Sequence, residues 1–557
     1  MADTWPPEPF DIAFARFREL DAWYTGDAQT LAEIYSGQAA AAAPTHTVNG
    51  RAYRGGILGS LSKMFVGQPV VPDEKRMRMH LPLAADLCTL SADLLFGEAP
   101  QVVFRNPTPD AAPADGEPVT KWTHPAQDRL DEIIGADEAH AELLLAGEYA
   151  AALGGSYIAV AWDKELQDHV FPKAYAADSA IPTFRHGRLW SVKLWSEYHD
   201  GNEVYRLVEE HQRGTVEFTL YRGTARTLGK PVQIEERPET AHYASLRTPA
   251  DYDVLDGELP QSVKIATGSD RLAVAYMPNA RPVRDWRKLG PLAYLGRSDL
   301  DGVQDILDKV DMTWSSLMRD IENGQGRLIM PEEFLTVNGP GQGSTADLYR
   351  QVFTPVAGGL GKSTDNSGGI TIAQFAIRVQ EHLDTINGLK KELASAVGYS
   401  ESHLGLDDAR GERTATDVQA DLSDSERTRD KKALYAKAAL ARWSLAALEI
   451  DKAVFGGTDV GDLTSAPDVV FAPVSQADPE KMARTAQLLD AARAATRETI
   501  VRTVHPDWDD DEVKVEADGI RDELDQAAMR DPIMSPFDPT DQEKPDDGEE
   551  PEDGDED

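Results

Sequence analysis

The sequence predicts an α+β fold, on three observations. Between positions 156 and 221 apolar and polar residues alternate around short turns, the pattern of an antiparallel meander. From position 300 onward apolar residues recur at three- and four-residue steps, the pattern of long amphipathic helices. A Gly-rich stretch over 327–369 interrupts those helices and fits neither a helix nor a long strand.

Taken in order, Phe10, Ile12, Phe14, Phe17, Leu20, Trp23 and Tyr24 predict a first helix, stopped at Gly26, with Asp27 placed to cap the next helix. The alanine run with Pro44 and the glycines over 50–59 read as irregular linkers. Pro82 suits the first turn of a second helix and Gly97 its end, with a strand over 101–104. One helix is expected over 126–153, ended by Gly154-Gly155. Strands follow over 156–162, 184–194, 204–210 and 215–221, around His186-Gly187, Asp200-Gly201 and Arg213-Gly214, and strand character continues to about Pro282. Leu300, Val303, Ile306, Leu307, Val310, Trp314, Leu317, Met318 and Ile321 define a helix over 298–323, N-capped by Ser298 and ended by Gly324. Within 327–369 lie strand-like pieces at 328–330 and 349–356 and two Gly/Ser/Asn-rich loops at 338–344 and 358–369. Helices resume over 371–397 and, after a break at 398–412, over 414–455. The last ones cover 478–504 and 509–525, and the chain beyond about 531 is too acidic and rich in Pro and Gly to fold.

The chain has 557 residues, enough for three or four lobes, and 41% hydrophobic residues, enough for most of it to bury a core. Cys88 is the only cysteine, which excludes an internal disulfide and a Cys-based zinc cluster; its apolar surroundings read as a small buried thiol. The N-terminus is neither basic nor apolar, so no signal peptide is expected. No apolar run reaches the ~18 residues of a membrane span, so a soluble protein made in the cytoplasm, with no membrane partner, is expected. Acids outnumber bases 96 to 56, a net charge of −40, and the segment 541–557 holds eleven acids against Lys544 alone. Such a chain cannot hold DNA by neutralising phosphates, which takes clustered Lys and Arg. It can surround DNA without adhering to it, or the charge can simply maintain solubility.

Chemistry-bearing motifs are missing. Gly358-Gly-Leu-Gly-Lys-Ser-Thr364 approaches a phosphate-binding loop, but the required first glycine is Val356. There is no H-E-x-x-H, G-x-S-x-G or G-x-G-x-x-G. The acids over 507–512 lack calcium-loop spacing and suit a helix N-terminus. His80, His382 and His403 stand apart from obvious partners. No catalytic residues, no metal site and no cofactor are expected, and the protein reads as a non-enzyme.

The order of elements is informative: an α/β lobe, a long helix, a small Gly-rich insert, a second long helix, a loop and a third long helix. Several segments add to it: His80-Leu-Pro-Leu-Ala-Ala-Asp-Leu87 with Ser91-Ala-Asp-Leu-Leu-Phe-Gly-Glu98, Gly296-Arg-Ser-Asp-Leu300, the run from Trp314 to Asp320, Gly398-Tyr-Ser400, Thr414-Ala-Thr-Asp-Val418, and the ending over 478–523. In this order and in these segments the chain resembles bacteriophage portal proteins, in particular those of long-tailed phages of actinobacteria. The resemblance spans roughly residues 10–525. It implies a wing over 1–295, a stem helix within 296–326, a clip over 327–369, a second stem helix within 370–398, a tunnel loop over 399–413, a tunnel helix over 414–456, a crown over 457–530 and a disordered acidic tail over 531–557. It further implies a ring, of twelve subunits in the virion, through which double-stranded DNA is packaged and ejected. Terminase and a head–tail adaptor would dock on the clip, with major capsid and scaffolding proteins as further partners.

A ring that passes DNA must enclose a charged rod without trapping it, since each neutralised phosphate adds affinity. Arg410, Arg413, Arg427, Arg429, Lys431 and Lys432 are the candidates for brief contacts along the tunnel, although Asp424, Glu426 and Asp430 could equally pair with them on a solvated helix face. Trp314 and Met318 are the candidates for packing against a neighbouring subunit, and Arg327, Tyr349, Arg350 and Phe353 for the partner surface of the clip. Another minor head protein, a metal-dependent hydrolase and a host scaffold remain as alternative readings.

Overall fold

The computed structural model describes residues 5–34, 79–105, 124–136, 138–246, 261–323, 327–329, 336–337, 344–345, 371–373, 377–406, 415–456, 460–461, 463–472, 479–505, 508 and 510–530. The chain divides into two units, Met1–Ala472 and Pro473–Asp557.

In the first unit α1 (Phe10–Thr25) buries Phe10, Phe17, Leu20 and Trp23, the expected face, and ends at Gly26 with φ of 72°. Asp27 Oδ1 then accepts from the amides of Gln29 and Thr30, at 3.0 and 3.1 Å. Helix α2 (Leu83–Phe96) follows Pro82 as expected and buries Leu87, Cys88 and Phe96, while Gly97 stays right-handed at φ −59°. Strand β1 (Gln101–Val103) comes next. The helix expected over 126–153 is two, α3 (Gln127–Ile134) and α4 (Ala139–Leu153), parted at Gly135. Helix α4 ends at Gly154, where φ is 88° and a Cβ would run into the carbonyl of Gly296, so the chain can cross itself there only without side chains.

Two sheets follow. Strands β2 (Gly155–Ala161), β3 (Phe171–Ala176) and, later, β10 (Val274–Pro278) form a three-stranded sheet in the order β10-β2-β3. The meander is β4 (Ala180–Arg185), β5 (Arg188–Asp200), β6 (Glu203–Gln212), β7 (Thr215–Thr224) and β8 (Thr227–Val232), all antiparallel in sequence order. Strand β9 (Ser262–Ala266) pairs with the first half of β7 and β8 with its second half. Strands β2 and β10 of the three-stranded sheet are buried on both sides, whereas β7 alternates buried and half-exposed residues, so the period-two signal is strongest in the meander.

Helix α5 (Gln304–Asn323) starts six residues later than expected. Ser298 does accept a hydrogen bond from the Leu300 amide, at 3.0 Å, but Gly302, at φ 88°, separates that turn from the helix. Beyond α5, the short strands β11 (Arg327–Ile329) and β14 (Thr371–Ala373) pair antiparallel, as do β12 (Thr336–Val337) and β13 (Ser344–Thr345). Residues 371–373 are thus strand, not the first turn of a helix: their partners across the insert supply hydrogen bonds that a helix start would leave unmade. Helix α6 (Val379–Val397) begins after them. Helix α7 (Ala415–Val454) runs 40 residues, close to the expected span, and β15 (Asp468–Val470) returns to pair with β1. The stretches over 349–356, 338–343 and 358–369 lie outside the described residues.

The second half of α7 is the spine of the main core: Leu440, Trp443, Ala447, Leu448 and Ile450 pack with Leu130, Ile133, Ile158, Leu207 and Leu220. A second core joins α1, α2, α5 and α6 through Trp23, Leu87, Leu307, Val310, Ile386 and Leu393. The second unit holds α8 (Pro479–Ala491), α9 (Arg497–Val504) and α10 (Asp510–Arg530), so the helix expected over 478–504 is again two. Arg493 takes a positive φ between them and Thr496 caps the second, accepting from the Thr499 amide at 3.3 Å. Val501, Val513 and Ala517 form a small core of their own with Trp508 and Ile520.

Candidate functional site: a helix pair, a loop and a long helix

Helices α5 and α6 lie against each other because each has one apolar stripe. Leu307, Val310 and Leu317 are buried on the first, and Ile386, Leu393 and Ala394 on the second. Polar pins fix them further. Asp311 accepts from the Leu81 amide at 3.0 Å and from His80 Nδ1 at 2.9 Å, tying α5 to the entry of α2. Asp320 bridges to α6 through His382 at 3.1 Å and Arg378 at 3.3 Å, and hydrogen bonding from His382 first, then Arg378, holds its carboxyl below the usual range.

At the end of α6 Gly398 adopts φ of 87° and its amide donates to Ala394 O, closing the helix with a left-handed residue. The following turn is fastened to α7: Thr428 Oγ1 donates to Gly398 O at 2.7 Å, and the Ser400 amide donates to Ser425 Oγ at 2.9 Å. His403 Nδ1 sits 2.9 Å from Ser425 Oγ and 3.1 Å from Ser400 Oγ. All three histidines that stand alone in the sequence therefore have partners, His80 on Asp311, His382 on Asp320 and His403 on the two serines. Those partners are distant in sequence or hidden among ordinary serines.

Beneath this turn Lys432 of α7 is buried, not facing solvent. Its ammonium is bonded to Asp299, to Ser91 Oγ at 2.6 Å and to Tyr399 OH at 2.8 Å. Tyr399 OH also donates to Asp299 Oδ2 at 3.2 Å, and Asn279 Nδ2 donates to Asp299 Oδ1 at 2.8 Å. Burial and then the Asp299 carboxylate push the Tyr399 hydroxyl well above its ordinary pKa, and burial does the same for the neighbouring Cys88 thiol. This hub unites α2, the crossing before α5, the turn after α6, and α7. Further along α7, Asp451 takes Arg129 and the Val170 amide, and Glu449 takes Arg271 and Ser269. The arrangement is mechanical: one long helix is clamped at several points between Ser425 and Asp451.

The sequence candidates separate accordingly. Lys432 leaves the set of tunnel contacts, because a buried ammonium held by a carboxylate cannot reach a phosphate. Arg429 is mostly buried as well: it donates to Ala472 O, lies 5.6 Å over the Phe471 ring and meets Asp430 at 3.1 Å. Arg427 is exposed and pairs with Asp424 at 3.2 Å, and Lys431 is exposed. Arg410 and Arg413 lie outside the described residues, as do Tyr349, Arg350 and Phe353, and Arg327 opens β11. Trp314 and Met318 are half-buried, and Trp314 packs on the core of its own chain. The hub itself is absent from the sequence candidates apart from Lys432. Its other members Ser91, Asp299 and Tyr399 nonetheless lie in three of the segments that carry the family resemblance, those beginning at Ser91, Gly296 and Gly398. Among the described residues no cluster of His, Cys, Asp or Glu could hold a metal ion.

Similar solved structures are a neck of an empty GTA particle computed with C6 symmetry, 14% identical, TM-score 0.40, covering 80% of this chain and 92% of that one. Another is the virion of a native gene transfer agent particle, 13% identical, TM-score 0.38, covering 84% and 97%. No curated protein matches this sequence. The family model described as phage portal protein, SPP1 Gp6-like, matches residues 15–529, and with nearly the whole chain so matched, this protein belongs to the SPP1 Gp6-like phage portal family.

Proposed function

We propose that this chain is the repeating subunit of a ring, twelve copies in the virion, set at one vertex of a capsid, and that double-stranded DNA enters and leaves through its centre. The observation that supports this most is the succession of α5, insert, α6, loop and α7 in a chain of this family. Two antiparallel helices and a clamped long helix are the parts a rigid, narrow wall requires. The net charge of −40 suits a wall that repels the duplex toward the axis instead of binding it. In this reading the insert over 327–369 is the surface that terminase meets during packaging and the head–tail adaptor afterwards. Capsid and scaffolding proteins meet the ring elsewhere. The ring assembles in the host cytoplasm, and its role is geometric, with any ATP-driven work done by the docked partner. Among the described residues no helix is long and apolar enough to cross a membrane.

Negative-stain imaging of the purified chain tests the proposal directly. Closed rings with a central hole and a countable rotational symmetry are expected. A preparation that stays monomeric, or forms only open filaments, across protein concentration and salt would sink it.

A further inference from the structure

A chain carrying −40 repels its own copies, so two of them can meet only where the sign of the surface changes locally. One such place is the turn end of the meander. Arg185 and Arg188 face each other across the β4–β5 hairpin, and Arg213 stands in the β6–β7 turn, all three exposed. The Arg185 guanidinium lies 3.6 Å from the centroid of the Trp190 ring and that of Arg213 5.5 Å from it. Among the described residues none of these three arginines has an acidic partner, whereas Arg16, Arg206 and Arg271 of the same unit do. Trp190 and Tyr294 are 37% and 38% exposed, and Tyr294 borders the hairpin turn, 3.3 Å from where a Cβ on Gly187 would stand. Exposed Trp, Tyr and Arg side by side are the composition of a protein–protein contact.

A second surface has the opposite sign. Asp128, Asp131 and Glu132 are exposed on α3, and Glu165 and Asp168 in the loop between β2 and β3, against Lys164. Arg129 joins the two groups, pairing with Glu132 at 2.9 Å and donating to Asp168 O at 2.8 Å, but its charge is taken up by Asp451 at 2.8 Å. Between Glu165 and Asp168, Leu166 is 72% exposed. The two surfaces lie on opposite sides of α7. Glu449 bonds to Arg271 and Ser269 and shares a cavity wall with Arg213, while Asp451 holds Arg129 and the Val170 amide. Two residues along a helix are about 200° apart around its axis.

We propose that these surfaces are the two halves of a head-to-tail contact between copies of this chain, the surface around Trp190 of one copy receiving Leu166 and its acids from the next. A contact that repeats around an axis joins two different faces of the subunit, and these two differ in sign and lie on opposite flanks. Both belong to the first unit. Closure of such contacts into a ring rests on the reading proposed above, whereas the contact itself requires only a second copy.

The test uses the full-length chain with either surface reversed, Arg185→Glu with Arg213→Glu or Glu165→Lys with Asp168→Lys, all four side chains being exposed. Sedimentation velocity at low salt should show the parent chain assembling, less so as salt rises. Each reversed pair should weaken assembly by roughly tenfold or more. An equal mixture of the two should recover it, because every junction again brings opposite charges together. The neutral pairs, Arg185→Gln with Arg213→Gln and Glu165→Gln with Asp168→Asn, should fall in between. Parent-like assembly by a reversed pair with an unchanged circular dichroism spectrum overturns the proposal, as does parent-like assembly by the neutral pair where the reversed one does not fold. A mixture of folded variants that stays apart overturns it too. So does assembly indifferent to these charges with duplex DNA bound through Arg185 and Arg213, which would assign that surface to phosphates. Open filaments that obey the charge rule would keep the contact and sink the ring, closed rings indifferent to it would do the reverse, and a parent chain that never associates would end both.

Discussion

Lys432 is the residue on which most local geometry converges. Removing one member of a buried ion pair leaves the other charged and unsolvated, a loss of about 3–5 kcal/mol. Lys432→Met is therefore expected to lower the stability of the first unit by that order in urea unfolding, and Asp299→Asn in the same chain should recover part of it. Asp178, in the turn between β3 and β4, makes a second prediction. Loss of solvation and then the Asp21 carboxylate push its pKa up to about 6 from 3.8. The folded state thus holds this proton more tightly than the unfolded chain does between those values. Its contribution is complete below pH 3.8 and is lost as pH rises through 6. Melting temperatures measured from pH 4 to 7.5 should show Asp178→Asn gaining on the parent chain as pH rises. A constant difference between the two would refute the assignment. Glu209 behaves in the opposite sense. Burial alone would raise it, but His211, Lys173 and Tyr175 hold it at about 2, so its share of stability persists above pH 4.5 and fades only toward 2.

At the scale of elements, the seam between α5 and α6 and the turn after it are the parts to probe. Leu393 is fully buried there, and Leu393→Ala should cost about 2–5 kcal/mol through lost contacts and the cavity left behind. Gly398→Ala should cost about 1–2 kcal/mol from the left-handed backbone alone, with its Cβ also meeting Thr428 Oγ1 at 2.7 Å. Hydrogen exchange at Ser400 and Tyr399 should rise in both variants, and an unchanged protection pattern in Gly398→Ala would show that the turn is not held as described. The elements legible in the sequence are those with local causes. Helix α1, the meander and the 40-residue helix announce themselves by period and by terminal glycines. What escaped depends on distant partners. Thr371–Ala373 are strand because Arg327–Ile329 lie beside them. Lys432 sits in a run of basic residues that reads as solvated, yet it faces inward because Asp299 and Ser91, 133 and 341 positions away, are waiting for it. The histidines were opaque for the same reason.

For the whole molecule, the structure changes how ring formation should be tested. Trp314 supports its own subunit's core, so a charge there would damage the fold along with any ring contact. Met312 is 39% exposed on the face of α5 opposite the buried stripe, whereas Ile321 and Leu383 only continue that stripe outward. A heterologous ring contact needs apolar surface that the subunit's own core does not use. Met312→Glu should leave a folded, soluble chain that no longer closes into rings, checked by circular dichroism beside negative-stain imaging. Intact rings would remove this face from the contact.

The β11–β14 ladder has a consequence for how such a molecule can diversify. By holding Leu328 opposite Ile372 it seals the base of everything between them. For any chain segment closed by such a base, each doubling in length costs only about 0.6 kcal/mol in closure entropy. Such a segment can be lengthened, shortened or exchanged wholesale while the two helices keep their register. A change of length or sequence between the two strands therefore need not disturb the packing of α5 on α6.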